Sequence, residues 1–238
     1  MSNTNDPIDE VIAATANART KAMERIKALY DEGVALEFDC WLSKVQRWPN
    51  SAALFHSFAL ASNKQTLLDH LATLHYSLVF GYLGFFVSFE PDGRKGPDLL
   101  ITRDGISATV EVTRLRPMNP GPPALSEEEC QGSEQVLEPY GDPYRDVNRS
   151  FGKVLAKFKQ AIGPHSIIAV WNDDDALEEL EMFMAVRDLC QAPCLPAGLD
   201  FVIYGSKWIS SVHLHLYTFP LKPTRFRNSG VGATDRIG

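Results

Sequence analysis

The chain has 238 residues, of which 45% are hydrophobic and 22% are charged, and its formal net charge is −7. This length and composition exclude a disordered chain and predict one large domain, or one domain with an appended helical region. Because the net charge is negative, the chain as a whole does not attract nucleic acid, and binding of nucleic acid would require a local basic groove.

The cysteines and the N-terminus give no sign of export or of a membrane. Cys190 and Cys194 are the only close pair, and no second Cys or His pair stands at zinc-finger spacing. Residues 1–7 lack a basic region followed by an apolar run, and the apolar stretch at 78–89 is too short to span a bilayer. We therefore expect reduced thiols in a cytoplasmic protein that does not contact membranes.

Residues 1–62 predict an N-terminal helical region. A first helix is expected over 8–33, ended by Gly33, and residues 34–60 read as helical with a break near Pro49. The apolar face of the first helix is weak. We therefore expect this helix either to pack loosely or to pair with another chain, which would be a second copy in a homodimer or a protein partner.

Residues 63–220 predict an α/β core, followed by a flexible tail at 221–238. A helix over 63–80 has Asn63 as its N-cap and leucines at helical spacing. Later helices are expected at 146–162 and 173–189. Strands are expected at 85–89, 98–102, 106–114, 166–171, 201–205 and 212–219. This order predicts an α/β fold with a mixed central sheet flanked by helices.

Two carboxylates on neighbouring predicted strands form the most informative pattern. Asp98 opens one strand, and Glu111 lies in the next strand, after a hairpin turn at Asp104–Gly105. Carboxylates from adjacent strands can converge on one point, and Mg²⁺ and Mn²⁺ prefer oxygen ligands of this kind. Such a metal activates water and neutralises charge on a phosphate during its hydrolysis.

The segment Pro97–Asp98 followed by Glu111–Val112–Thr113 resembles the motif of the PD-(D/E)xK nuclease superfamily. The preceding helix and aromatic strand, and the following helix and strand, fit the resemblance, which covers roughly residues 64–205. It implies a restriction-endonuclease-like fold and a Mg²⁺- or Mn²⁺-dependent nuclease acting on nucleic acid, DNA before RNA.

The resemblance also implies residue roles. Asp98 and Glu111 would bind the metal, together with the backbone carbonyl of Val112. An acidic residue from the helix before the core often joins the family's site, and Asp69 is the nearest candidate, with Glu90 as a second.

Thr113 departs from the family pattern, because that position usually holds a catalytic lysine. Period-2 alternation puts Glu111 and Thr113 on one face of the strand and Arg114 on the other, so Arg114 is a poor substitute. The resemblance therefore implies a catalytic set of Asp98, Glu111 and Thr113, with the cation supplied from elsewhere.

Basic residues flank the motif on both sides in the sequence. Lys153 or Lys157, on the following helix, could supply the missing cation, and Lys95 is another candidate. Lys153 and Lys157 belong to a polar stripe that also includes Arg149 and Gln160. Arg149, Gln160 and Lys95 are expected to bind substrate. A solvated helix face is the alternative reading of this stripe.

Three interpretations of function stay open. The first is a metal-dependent nuclease. The second is a catalytically silent nuclease fold that acts in nucleic-acid binding or protein assembly, because Thr113 cannot supply a cation. The third is an unrelated α/β enzyme. A structure in which the side chains of Asp98 and Glu111 point apart would favour this third interpretation. A metal site at His213 and His215 is disfavoured, because no third ligand is visible.

Overall fold

The structure is a computed structural model that describes residues 7–90, 93, 96–116, 148, 152, 165–173, 182–187, 198–206 and 216–220. By its internal contacts the chain divides into two compact units. The first unit comprises residues 1–112 with 163–166, and the second comprises 113–162 with 167–238. The predicted boundary between residues 62 and 63 lies inside the first unit.

Four helices occupy the N-terminal part of the first unit. They are α1 (Pro7–Leu29), α2 (Glu32–Val45), α3 (Ser51–Ala59) and α4 (Lys64–Tyr82). The prediction that the first helix continues to Gly33 was wrong. Asp31 begins α2 instead, because its carboxylate accepts a hydrogen bond from the Val34 amide at 3.0 Å and so caps the new helix.

The predicted break and the predicted cap are both confirmed. Asn50 adopts a left-handed backbone conformation, with φ of 58°, between α2 and α3. Asn63 caps α4, and its side-chain oxygen accepts a hydrogen bond from the Thr66 amide at 3.0 Å. None of the helices in the described part of the chain is long and apolar enough to cross a membrane.

Trp48 fixes the packing of α4 against the first strand. Its ring stacks on Phe89 with a centroid separation of 6.2 Å. On its other side the ring lies so close to Gly81 of α4 that an added Cβ atom would come within 2.5 Å of it. Gly81 is therefore required for the close approach of the Trp48 ring to α4.

Six strands form one hydrogen-bonded sheet in sequential order. They are β1 (Phe86–Phe89), β2 (Leu99–Arg103), β3 (Ile106–Leu115), β4 (Ser166–Asn172), β5 (Leu199–Ser206) and β6 (Leu216–Pro220). The pairs β1–β2, β2–β3 and β5–β6 are antiparallel. The predicted α/β fold is confirmed at this level.

Strands β3 and β4 run parallel, which makes the sheet mixed. The Thr109 amide donates to the His165 carbonyl at 3.0 Å, and the Asp173 amide donates to the Leu115 carbonyl at 3.0 Å. Partners thus advance in the same direction on both strands, as in a parallel pair. The mixed sheet agrees with the prediction.

The hairpin between β2 and β3 has the predicted turn. Asp104 and Gly105 both have positive φ, 53° and 78°. Two consecutive positive φ angles are typical of a type I′ turn, whose twist matches that of the flanking strands. The turn sets the register, in which Leu99 pairs with Val110 and Arg103 pairs with Ile106.

Buried polar contacts characterise the second unit. The guanidinium of Arg114 forms an ion pair with the carboxylate of Asp173, and both side chains are buried. The Asn172 side-chain amide donates to the Tyr204 hydroxyl at 2.8 Å, again in a buried position. Asp173 was expected to begin a helix, and its pairing with Arg114 was not predicted. Residues 182–187 are helical, as expected.

Candidate functional site

The β2–β3 register brings the two predicted metal ligands close to each other. The ladder ends with Leu99 paired to Val110, and Asp98 and Glu111 directly adjoin this last pair. The two residues therefore lie side by side at the end of the hairpin away from its turn.

A third acidic residue lies in the same row. The Glu90 amide donates to the Asp98 carbonyl at 2.9 Å, which continues the β1–β2 ladder by one residue. Glu90 has a positive φ of 38°, a conformation that is uncommon for residues other than glycine. Glu90 follows β1, Asp98 precedes β2 and Glu111 lies in β3. These three residues occupy neighbouring positions at one end of the three strands, and we call them the carboxylate row.

Asp98 is held in place by the backbone of β3. One carboxylate oxygen, Oδ2, accepts a hydrogen bond from the Val112 amide at 2.8 Å. Hydrogen bonds to a charged acceptor are shorter and stronger than neutral ones, so this contact fixes the orientation of the carboxylate. The other oxygen, Oδ1, takes no part in this hydrogen bond and is the atom of Asp98 that could bind a ligand.

Glu111 is buried, with only 4% of its surface exposed, although it lies in an apolar strand between Val110 and Val112. Burial of a carboxylate is costly unless opposite charge or hydrogen bonds compensate for it. Thr113 follows on the same face of β3 and is half-buried. A threonine hydroxyl can donate a hydrogen bond, but it cannot supply the positive charge that the family's lysine brings.

His70 is the candidate that the sequence reasoning missed. Burial lowers the pKa of His70 below its usual value, and the negative charges of Asp69 and Asp98 act in the opposite direction. Its ring also lies against Phe58, with centroids 5.8 Å apart. Because the charge of Asp98 acts on His70, this imidazole belongs to the electrostatic surroundings of the carboxylate row.

Asp69 precedes His70 on α4, and its charge acts on the same imidazole. The sequence signal that could have identified His70 is therefore this neighbour, which was already a candidate ligand from the helix before the core. A search for His next to Asp or Glu on that helix would have found the pair.

The described residues do not form a complete metal cage. Among residues 7–90, 96–116 and the shorter described segments, no group of three or more His, Cys, Asp or Glu side chains is arranged to hold a metal ion. Mg²⁺, however, usually binds through one or two carboxylates and completes its octahedron with water and substrate phosphates. The donor set of Asp98 and Glu111 fits that mode of binding.

Five predicted site residues lie outside the described residues. They are Lys95, Arg149, Lys153, Lys157 and Gln160. Arg114, which was considered a poor substitute for the missing lysine, pairs with Asp173. The structure thus describes the carboxylates of the expected site and does not describe its expected cations.

Comparisons of the chain with models of protein families, with curated proteins and with solved structures found no match in any of the three.

Proposed function

We propose that this chain is a Mg²⁺- or Mn²⁺-dependent nuclease with a restriction-endonuclease-like fold. The observation that carries the proposal is the placement of Asp98 beside Glu111, with Glu111 buried and Asp98 held by the Val112 amide. Two convergent carboxylates at one end of a hairpin are an arrangement of hard oxygen donors suited to a divalent cation.

The order of the elements supports the fold assignment. The helix α4 precedes three antiparallel strands, β1 to β3, and β4 then runs parallel to β3. The motif residues stand at the start of β2 and within β3, as the resemblance to the PD-(D/E)xK superfamily implies. The order of the elements and the positions of the motif residues are thus both consistent with the proposed fold.

In the proposed mechanism each described residue has a separate task. Asp98 and Glu111 would hold the cation, together with the carbonyl oxygen of Val112, and the hydrogen bond from the Val112 amide keeps Asp98 oriented. When bound, the ion supplies activation of water and neutralisation of phosphate charge. Asp69 and Glu90 are the additional acidic candidates.

The substrate is nucleic acid, with DNA proposed before RNA. Lys153, Lys157 or Lys95 would supply the positive charge that Thr113 lacks, and Arg149 and Gln160 would contact the phosphate backbone. A local basic surface is needed because the net charge of the chain is −7. Phosphate contacts of this kind position the substrate and carry no sequence information.

A second candidate function is a catalytically silent member of the same fold that binds nucleic acid or assembles with a protein partner. Two observations favour it. One oxygen of Asp98 is already used by the Val112 amide, and the lysine position of the motif holds Thr113. In this reading the carboxylate row keeps an affinity for cations without cleavage.

A cleavage assay separates the two functions. The full chain is incubated with double-stranded DNA, single-stranded DNA and RNA, each in Mg²⁺, Mn²⁺ or EDTA, beside Glu111→Ala and a control, Glu37→Ala. Glu37 is an exposed glutamate on α2, away from the carboxylate row. The nuclease proposal requires metal-dependent cleavage that Glu111→Ala removes and Glu37→Ala retains.

Thermal unfolding in Mn²⁺ and in EDTA is measured on the same three proteins. A ligand that binds only the folded state raises the melting temperature, by an amount that grows with the logarithm of its concentration above the dissociation constant. Stabilisation that depends on Glu111, without cleavage of any substrate, supports the silent fold. If there is neither cleavage nor Glu111-dependent stabilisation, the carboxylate row is not a metal site, and both candidates lose their main support.

A further inference from the structure

The strands β1, β2 and β3 carry two rows of uncharged side chains on one face. Phe86 pairs with Thr102, and Thr102 pairs with Ser107. Residues that pair in an antiparallel register have side chains on the same face, so these three form one row across the strands. The second row lies two residues further along each strand and consists of Ser88, Leu100 and Thr109. We call the two rows the uncharged face.

The opposite face of the same strands is buried against α4. Val87 and Phe89 belong to it, and only 3% and 1% of their surfaces are exposed. Phe85, which precedes β1 and alternates in the same way, contacts the Phe80 ring of α4 with centroids 5.8 Å apart. On the uncharged face, by contrast, Phe86 is 63% exposed. The other five residues of that face are half-buried or exposed, so a ligand can reach the Phe86 ring.

The uncharged face continues to Glu111. Glu111 follows Thr109 by two residues in β3, and side chains two residues apart in a strand lie on the same face. Ser107 and Glu111 are about 13 Å apart along the strand, and Phe86 lies two strands from β3, about 10 Å across. Phe86 and Glu111 are thus roughly 16 Å apart, a distance that about five stacked nucleotides span at 3.4 Å each.

Two hydroxyl groups lie beside Phe86 in its row. The hydroxyl oxygens of Thr102 and Ser107 are 2.9 Å apart, and either can donate to the other. A hydroxyl has one hydrogen to donate, so the accepting hydroxyl keeps its own hydrogen for a further acceptor. Phosphate and sugar oxygens are acceptors of this kind, and Ser and Thr are among the side chains that commonly contact them.

This composition fits a nucleic acid better than a protein. Four of the six side chains of the uncharged face bear hydroxyls, and only Phe86 and Leu100 are apolar. The core of a protein interface is more apolar than this. An exposed aromatic ring on a sheet is the kind of surface on which an unstacked base lies. Bases inside a duplex are paired and stacked on both sides, so the ring can receive a base only from a single strand or an unpaired end.

We infer that the uncharged face is a subsite for single-stranded nucleic acid, in which the Phe86 ring stacks on a base and the hydroxyls of Thr102 and Ser107 contact the backbone. The inference rests on the proposed function, because that function places a phosphodiester next to Glu111. It adds the class of substrate, a single strand or an unpaired end. Stacking of this kind tolerates any base, so no sequence preference is expected from it.

The test is the binding of the full chain to a short labelled oligothymidine and to a labelled duplex of the same length, measured by fluorescence anisotropy. Binding is measured in EDTA and in Ca²⁺, a hard cation that also prefers oxygen ligands. Phe86→Ala and Phe86→Leu should each weaken single-strand binding at least about fivefold, whereas Phe86→Trp should keep it within about twofold. Duplex binding should not change.

Tyr82→Ala is the matched control. It removes a ring that is 91% exposed but belongs to α4, which packs on the opposite face, so single-strand binding should be retained. The melting temperature of each variant verifies that the fold is kept. No binding of the single strand by the wild type, or equal binding by wild type and Phe86→Ala, would overturn the inference. So would full binding by Phe86→Leu, which would indicate a merely apolar contact.

The subsite and the nuclease activity can fail separately, because binding is measured without cleavage. Single-strand binding that depends on Phe86, with no cleavage of any substrate, supports the subsite and contradicts the nuclease proposal. Metal-dependent cleavage that requires Glu111, with binding unaffected by Phe86→Ala, supports the nuclease proposal and overturns the subsite.

Discussion

Two buried charged residues of β3, Arg114 and Glu111, have neighbours of different charge. Arg114, with a side chain only 2% exposed, is neutralised by the carboxylate of Asp173. Glu111, which is equally buried, stands beside a second carboxylate, Asp98. The first pair consists of opposite charges, whereas the second consists of two like charges.

The difference indicates which pair is structural and which is functional. An opposite-charge pair in a buried position mainly avoids the cost of an isolated charge. Two neighbouring carboxylates repel each other unless a cation or other polar groups compensate, and perturbed groups of this kind are common at functional sites. Asp98 and Glu111 are therefore the better candidate for chemistry, and Arg114 and Asp173 the better candidate for stability.

Breaking the opposite-charge pair should have the largest effect on stability. Asp173→Ala leaves Arg114 buried without its carboxylate, and we expect a loss of about 3–5 kcal/mol in the free energy of unfolding. Urea denaturation monitored by tryptophan fluorescence measures it. As a control, the double variant Arg114→Met/Asp173→Leu should recover most of the loss. A loss below about 1 kcal/mol for Asp173→Ala would show that the pair is not structural.

His75 allows a further comparison, with a side chain that burial keeps neutral rather than charged. Burial lowers the pKa of His75 on α4 to about 4. Because the folded-state pKa lies below the unfolded value, stability is fully present above pH 6.5 and is lost as the pH falls toward 4. The loss amounts to about 3 kcal/mol.

The measurement is the free energy of unfolding as a function of pH, for the wild type and for His75→Gln. Carboxylates titrate in the same range, so the informative quantity is the difference between the two proteins. That difference should shrink as the pH falls from 6.5 to 4. A constant difference would mean that His75 does not titrate in this window.

Packing next to the carboxylate row offers a third test. Gly81→Ala places a Cβ atom within 2.5 Å of the Trp48 ring, which is itself stacked on Phe89. We expect a destabilisation of about 1–3 kcal/mol, as is typical for overpacking. The melting temperature reports it, with Gly33→Ala as the control, since an added Cβ at Gly33 meets its nearest neighbour at 3.4 Å. Equal effects of the two substitutions would contradict the close contact.

The two carboxylates should respond by the smallest amount. In EDTA, Glu111→Gln keeps the size of the side chain and removes its charge, and we expect the free energy of unfolding to change by no more than about 1 kcal/mol. In Mn²⁺ the same variant should lose the stabilisation that the wild type gains. A larger destabilisation in EDTA would instead show that a cation of the chain itself holds Glu111.

The sequence was sufficient for the elements with strong local signals. Asn63 as a cap and Asp104–Gly105 as a turn are local determinants, and both are found as predicted. The end of α1 was misplaced because Gly33 is a common helix terminator, whereas the terminating feature is the cap made by Asp31. A cap and a glycine two residues apart give competing local signals, and only the hydrogen bond to Val34 decides between them.

The candidate site was less accessible from the sequence. Asp98 and Glu111 could be paired in advance, since a two-residue turn fixes the register of a hairpin. The ion pair of Arg114 with Asp173 joins residues 59 positions apart, and no local pattern encodes it. His70 was overlooked for the same reason, because its relation to Asp98 arises from the packing of α4.

The hydrogen bond from Val112 to Asp98 gives the protein a built-in spectroscopic reporter. An amide proton bound to a carboxylate is deshielded and exchanges slowly with solvent, so the nuclear magnetic resonance signal of Val112 depends on the state of one side chain. A cation that draws electron density from Asp98 would move that signal without any change in the fold. The Val112 amide would thus report cation binding at Asp98 during a titration.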